Sequence, residues 1–86
     1  MNSYTTSGFW KLYKALPPHI RRATVIAYRQ WKEDCTHPSL RFKQLEGRPN
    51  TWTARINDNY RAICTKLPDG WLWWGIGDHG YFDRRF

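Results

Sequence analysis

At 86 residues the chain predicts one domain spanning residues 1–86, with no room for a second. Its net charge of +7 and pI near 9.9 accompany six tryptophans, five tyrosines and four phenylalanines, which excludes a disordered basic tail and places the charge on a folded surface. Such a surface suits a nucleic acid or an acidic protein. The two cysteines, Cys35 and Cys64, and the three scattered histidines at 19, 37 and 79 show no ligand-pair spacing, so no metal site is expected. Neither a secretory signal nor a membrane-length apolar run is visible, and no small-molecule cofactor is expected. The expectation is a cytoplasmic protein in a reducing setting, without a disulfide and without a membrane partner.

In chain order, a short strand is expected around Ser3–Thr5. Ser7 can cap a helix over residues 8–15, in which Phe9, Leu12 and Tyr13 recur at helical spacing. Pro17 ends that helix and Pro18 suits the first turn of the next. The second helix should reach about Asp34, with Ile20, Ala23, Thr24, Ala27, Tyr28 and Trp31 as its apolar stripe and Arg21, Arg22, Arg29 and Lys32 off it. Residues 35–39 form a connector. Leu40–Leu45 alternates again and brings Arg41 and Lys43 in with the entering strand. Residues 46–50 have turn chemistry.

Two alternating runs follow, Trp52/Ala54/Ile56 and Tyr60/Ala62/Cys64, separated by Asn57-Asp58-Asn59. A two-residue loop would mix charged and apolar groups on both faces. A three-residue loop pairs Ile56 with Tyr60 and Arg55 with Arg61, and separates the faces. The cost is two like charges directly opposite each other, an arrangement that an anion such as phosphate would relieve. After a turn at Leu67–Gly70, the last strand covers Trp71–Ile76. Placing Leu72, Trp74 and Ile76 in the core with Cys64, Ala62 and Tyr60 leaves Trp71, Trp73, Gly75, Gly77 and His79 on the face of the two arginines. There the glycines would let a ligand backbone approach closely. The fold class is α+β, with two N-terminal helices on one face of a small antiparallel sheet of three or four strands.

Metal-free cleavage of a phosphodiester needs the phosphate held, a proton removed from the attacking oxygen, positive charge at phosphorus and a proton for the leaving group. Arg55 and Arg61 suit holding and stabilising, since guanidinium meets phosphate bidentately. His79 suits proton transfer near neutral pH, and Tyr81 is a second donor. Trp73 or Trp71 is a candidate to stack on a base. Lys43, with Arg41 beside it in the entering segment, is a candidate for backbone contact. Composition and spacing alone reach a basic α+β domain with an anion site.

Three segments in this order resemble the RelE/ParE toxin superfamily of type II toxin–antitoxin pairs. They are Phe42-Lys43-Gln44-Leu45-Glu46-Gly47, then Trp52-Thr-Ala-Arg55-Ile-Asn-Asp58-Asn-Tyr60-Arg61, and Trp73-Trp74-Gly75-Ile76-Gly77-Asp78-His79. The resemblance covers nearly the whole chain. It implies a RelE-like fold and a ribosome-dependent mRNA endonuclease that cuts in the ribosomal A site by metal-independent 2′-OH attack, with a cognate antitoxin as partner. It places Arg55 and Arg61 at basic catalytic or phosphate-binding positions, His79 at an Arg/His position near the end of the last strand, and Lys43 near an RNA contact. The chain departs from the pattern in having Leu40 near the position where some members place a glutamate base. Phe82 stands where a subgroup has tyrosine, with Tyr81 displaced by one. The alternatives are a non-enzymatic ParE-like gyrase inhibitor and an RNA-binding module without catalysis.

Overall fold

A computed structural model describes residues 2–86. Its elements are β1 (Asn2–Thr5), α1 (Ser7–Lys14), α2 (Pro18–Glu33), a 3-10 turn (Pro38–Leu40), β2 (Lys43–Gln44), β3 (Thr51–Arg55), β4 (Tyr60–Leu67), β5 (Gly70–Asp78) and α3 (His79–Arg85). The cap of α1 is Thr6 rather than Ser7: its hydroxyl accepts from the Phe9 N–H at 3.0 Å. Pro18 opens α2 as expected. Arg21 leaves the solvated face and donates to the Leu16 carbonyl at 2.7 Å and the Lys14 carbonyl at 3.3 Å, which satisfies open carbonyls at the end of α1.

The sheet has five strands in the order β1-β5-β4-β3-β2. It is larger than the expected three or four strands, and mixed: β1 lies parallel to β5 and the other pairs are antiparallel. A parallel pair needs a long crossover, and the chain between β1 and β5 contains α1, α2 and the other strands. β2 is only two residues long because Arg41, at φ 44°, takes the left-handed conformation after the 3-10 turn and breaks the alternation of residues 40–45. The hairpin has the predicted register, Arg55 opposite Arg61. Its three-residue loop is held by the Asn57 side-chain oxygen, which accepts from the N–H groups of Asn59 (2.8 Å) and Tyr60 (2.9 Å).

The expected inside-out assignment of β5 is corrected. Ile63 pairs with Gly75 and Cys64 with Trp73, so Trp74 is the extra residue of a bulge. A one-residue insertion reverses which side chains point to each face. Trp71 and Trp73 therefore enter the core under the helices, while Leu72 and Trp74 are only half-buried. Beyond the bulge Ile76 lies opposite Ala62 in the core, as expected.

On this first face α2 delivers Ile20, Thr24, Ala27 and Trp31. Ala23 is only half-buried and Tyr28 is exposed. Trp31 is 1% exposed and meets Trp73, Phe42 and Trp71 edge-on, at centroid distances of 5.1, 5.7 and 6.1 Å. Cys64 is fully buried, and burial pushes its thiol up to about 12. Both cysteines are free.

Helix α3 was not expected. Asp78 caps it by accepting from the Tyr81 N–H at 3.0 Å. Among the described residues no helix is long and apolar enough to cross a membrane.

Candidate nucleic-acid interface on the second sheet face

Residues directly opposite one another in a sheet point to the same side, so the register alone defines the second face. One row runs Lys43, Thr53, Ile63, Gly75 and the next runs Arg55, Arg61, Gly77. Thr53 and Ile63 are buried in the middle of this face, whereas Lys43 is exposed and both arginines are half-buried. The hairpin thus brings Arg55 and Arg61 together, and the short β2 adds Lys43 to their side.

Tyr81 closes the face, at 7% exposure. A Cβ built on Gly77 would lie 2.5 Å from the Cβ and Cγ of Tyr81, and one built on Gly75 would lie 2.6 Å from its hydroxyl. The glycines therefore make room for the tyrosine ring and not for a ligand backbone, which corrects the expectation. The phenol sits over the row that contains Lys43, and its ring over the row that contains Arg61. The Arg85 guanidinium lies 4.9 Å from the Tyr81 ring centroid, and Arg48 lies 4.7 Å from that of Phe86. Neither contact was anticipated from the sequence; the capping Asp78 was the available signal for α3, offset by Gly80 in its first turn.

The other expected site residues are distributed as follows. His79, the first residue of α3, is exposed and two residues beyond Gly77, the partner of Arg61. Arg41 is exposed next to β2. Trp73 is contradicted as a base-stacking residue, since the bulge leaves it 5% exposed against Trp31. Trp71, the other stacking candidate, is buried as well. The tryptophan on the second face is Trp74, half-buried, with its indole N–H donated to the Thr65 hydroxyl at 3.0 Å.

Charge on this face is unevenly compensated. Arg55 pairs with Asp58 at 2.5 Å. Among the described residues no acidic side chain pairs with Arg61 or Lys43. By contrast, a hollow of about 350 Å³ between the helices and the first face is lined by side chains such as Phe9, Trp10, Val25, Tyr28 and Trp73, with no carboxylate, histidine or cation. Arg55, Arg61 and Lys43 thus lie on the second face and not in this hollow. Among the described residues no cluster of three or more His, Cys, Asp or Glu could hold a metal ion.

No family model matches the chain, and no curated protein matches it by sequence. Solved structures match its fold. A RelB–RelE antitoxin–toxin complex from Methanococcus jannaschii aligns with TM-score 0.78 and 19% identity over 96% of this chain and 98% of the other. The YoeB/ParE toxin from Agrobacterium tumefaciens aligns at 0.72 and 16%, over 92% and 99%. YafQ from E. coli aligns at 0.74 and 10%, over 94% and 96%. The chain has the α+β fold of the RelE-like toxins of toxin–antitoxin systems.

Proposed function

We propose that the chain, as a single domain over residues 1–86, is the toxin of a type II toxin–antitoxin pair in the RelE/ParE superfamily. It acts as a ribosome-dependent mRNA endonuclease and so inhibits translation. The observation that carries this reading is the second face: Lys43 and Arg61 without acidic partners among the described residues, with Arg61 next to a tyrosine held on two glycines, in a fold shared with RelE, YoeB and YafQ.

In this mechanism the mRNA backbone of an A-site codon lies across the face. The 2′-OH attacks the adjacent phosphorus, the 5′ oxygen leaves, and a cyclic phosphate remains. Arg61 neutralises the charge that grows on the phosphoryl oxygens, a contribution realised most fully in the transition state. His79 and Tyr81 are the proton-transfer candidates, one an exposed imidazole beside the strand end and the other a phenol on the face itself. Lys43, with Arg41 nearby, contacts the flanking backbone. No metal enters the proposed step, and no cofactor. A cognate antitoxin is the proposed protein partner, since several structures of this fold are toxin–antitoxin complexes, and the cytoplasm is the proposed site of action.

The test is primer extension on a translated mRNA with and without the protein, run beside a gyrase cleavage assay. Codon-specific cuts with no gyrase effect are expected. Trapped gyrase–DNA complexes with intact mRNA would replace this reading with gyrase inhibition, and RNA binding without cuts in either assay would leave a non-catalytic module.

A further inference from the structure

Arg55 and Arg61 are opposite each other in the ladder, yet their guanidinium groups have different surroundings. Arg55 is the last residue of β3, beyond the stretch covered by the two-residue β2. One of its nitrogens donates to the Asp58 carboxylate in the hairpin loop at 2.5 Å, and another to the Ser39 carbonyl in the 3-10 turn at 3.4 Å. Both acceptors are held locally. Asp58 sits in a loop fixed by Asn57, and the Ser39 hydroxyl bonds the Gln30 side chain of α2 at 3.1 Å and lies 2.8 Å from a ring nitrogen of His37. Arg61 has no such partner among the described residues.

We infer that Arg55 is a positioning residue and that Arg61 is the phosphate ligand of the hairpin. Asp58 is the counter-ion that holds Arg55 between the two loops and keeps it from competing for the phosphate. This deepens the proposed function and rests on it. The pair also resolves the like-charge opposition: Asp58 neutralises one guanidinium, so the two arginines face each other as one ion pair and one cation. Asp58 is 90% exposed, and an exposed ion pair contributes little to overall stability. Its effect is on where the Arg55 donors point. A carboxylate acceptor in a bidentate-capable guanidinium fork is a directional contact, and a phosphate arriving at Arg61 finds Arg55 already occupied.

The test uses arginine side-chain NMR, with the Arg55 and Arg61 signals assigned from R55K and R61K. The probe is a 2′-O-methyl RNA hexamer, which cannot undergo 2′-OH attack, titrated over a range of salt. In the wild type the Arg61 signal should move and that of Arg55 should stay. In Asp58→Asn, a near-isosteric change at an exposed position, both should move. The plot of log affinity against log salt should then steepen by about 0.7, the increment for one added phosphate contact to a single strand. A purely structural role for Asp58 would not steepen that slope. Movement of Arg55 in the wild type, or an unchanged slope in D58N, overturns the inference while leaving the RNA site in place. If neither arginine responds in the wild type, the RNA reading of this face fails and the inference falls with it.

Discussion

On the first face, the rings of Trp31, Phe42, Trp52, Trp71 and Trp73 form a cluster with centroid distances of 5.0 to 6.3 Å, in which Trp31, Trp71 and Trp73 are buried and Phe42 and Trp52 half-buried. Across the same strands, one tyrosine from a seven-residue helix covers two glycines, Arg61 stands beside it and Lys43 lies three strands away, both without counter-ions among the described residues. The first face gains stability from aromatic burial. The second forgoes much of that gain, as the proposed anion site requires: cations that are to meet an anion stay hydrated and unpaired until it arrives. A sheet with two such faces separates the residues that hold the fold from those proposed to do chemistry, so substitutions should separate the two properties.

The largest expected effect is on the first face. Trp31→Ala removes the ring at the centre of the aromatic cluster and should cost about 3–5 kcal/mol. Equilibrium urea denaturation measures it, and a loss below about 1 kcal/mol would show that the cluster is not what holds the helices to the sheet. On the second face, Arg61→Ala should lower codon-specific cleavage by about 10²–10³-fold, the usual loss for one transition-state donor. Its melting temperature should stay close to that of the wild type. Full cleavage by this variant would remove Arg61 from the mechanism.

Gly77→Ala probes the seam between the two regions. The added Cβ meets Tyr81 at 2.5 Å, so the ring and α3 must shift. Overpacking of this kind costs about 1–3 kcal/mol. Because α3 is too short to be stable alone, we expect the loss of cleavage to exceed the loss of stability, with the near-ultraviolet tryptophan spectrum retained. A variant that melts like the wild type and cuts at the wild-type rate would mean that Tyr81 need not occupy its place on the glycines.

The smallest effect concerns thiols. Half-buried Cys35 should react first with Ellman's reagent, and Cys64 only on unfolding. Burial keeps the Cys64 thiol protonated in the fold up to about 12, from a usual value of 9.0. Between those values the unfolded thiol has lost its proton and the folded one has not. The Cys64 contribution to stability is therefore constant below about pH 9 and declines as pH rises above it. Comparing wild type with Cys64→Ala in denaturant at pH 8 and pH 10 isolates that decline as a narrowing gap between the two proteins.

Helix α2, the hairpin and the pairing of Arg55 with Arg61 were legible along the chain, because each depends on a period or a loop length that neighbouring residues specify. Pro18 and the stripe of Ile20, Thr24, Ala27 and Trp31 mark the helix. The requirement for one apolar face settles the hairpin register. Lys43 on the arginine face follows from the same ladder once β2 is in place, even though Arg41 shortens that strand. The run Trp71-Leu72-Trp73-Trp74 is different. Apolar residues in consecutive positions have no period to read, and either tryptophan could face inward. Only packing against Trp31 and Phe42, together with the bulge at Trp74, selected Trp73 for the core. In the same way Gly75 and Gly77 are two small residues in a strand until Asp78 caps a helix that lays Tyr81 across them. Local residue order decided where charge could gather, since strand alternation is a short-range property. Contacts between residues distant in sequence decided which aromatic group stands beside that charge, because the bulge and the docking of α3 have no cause within their own segments.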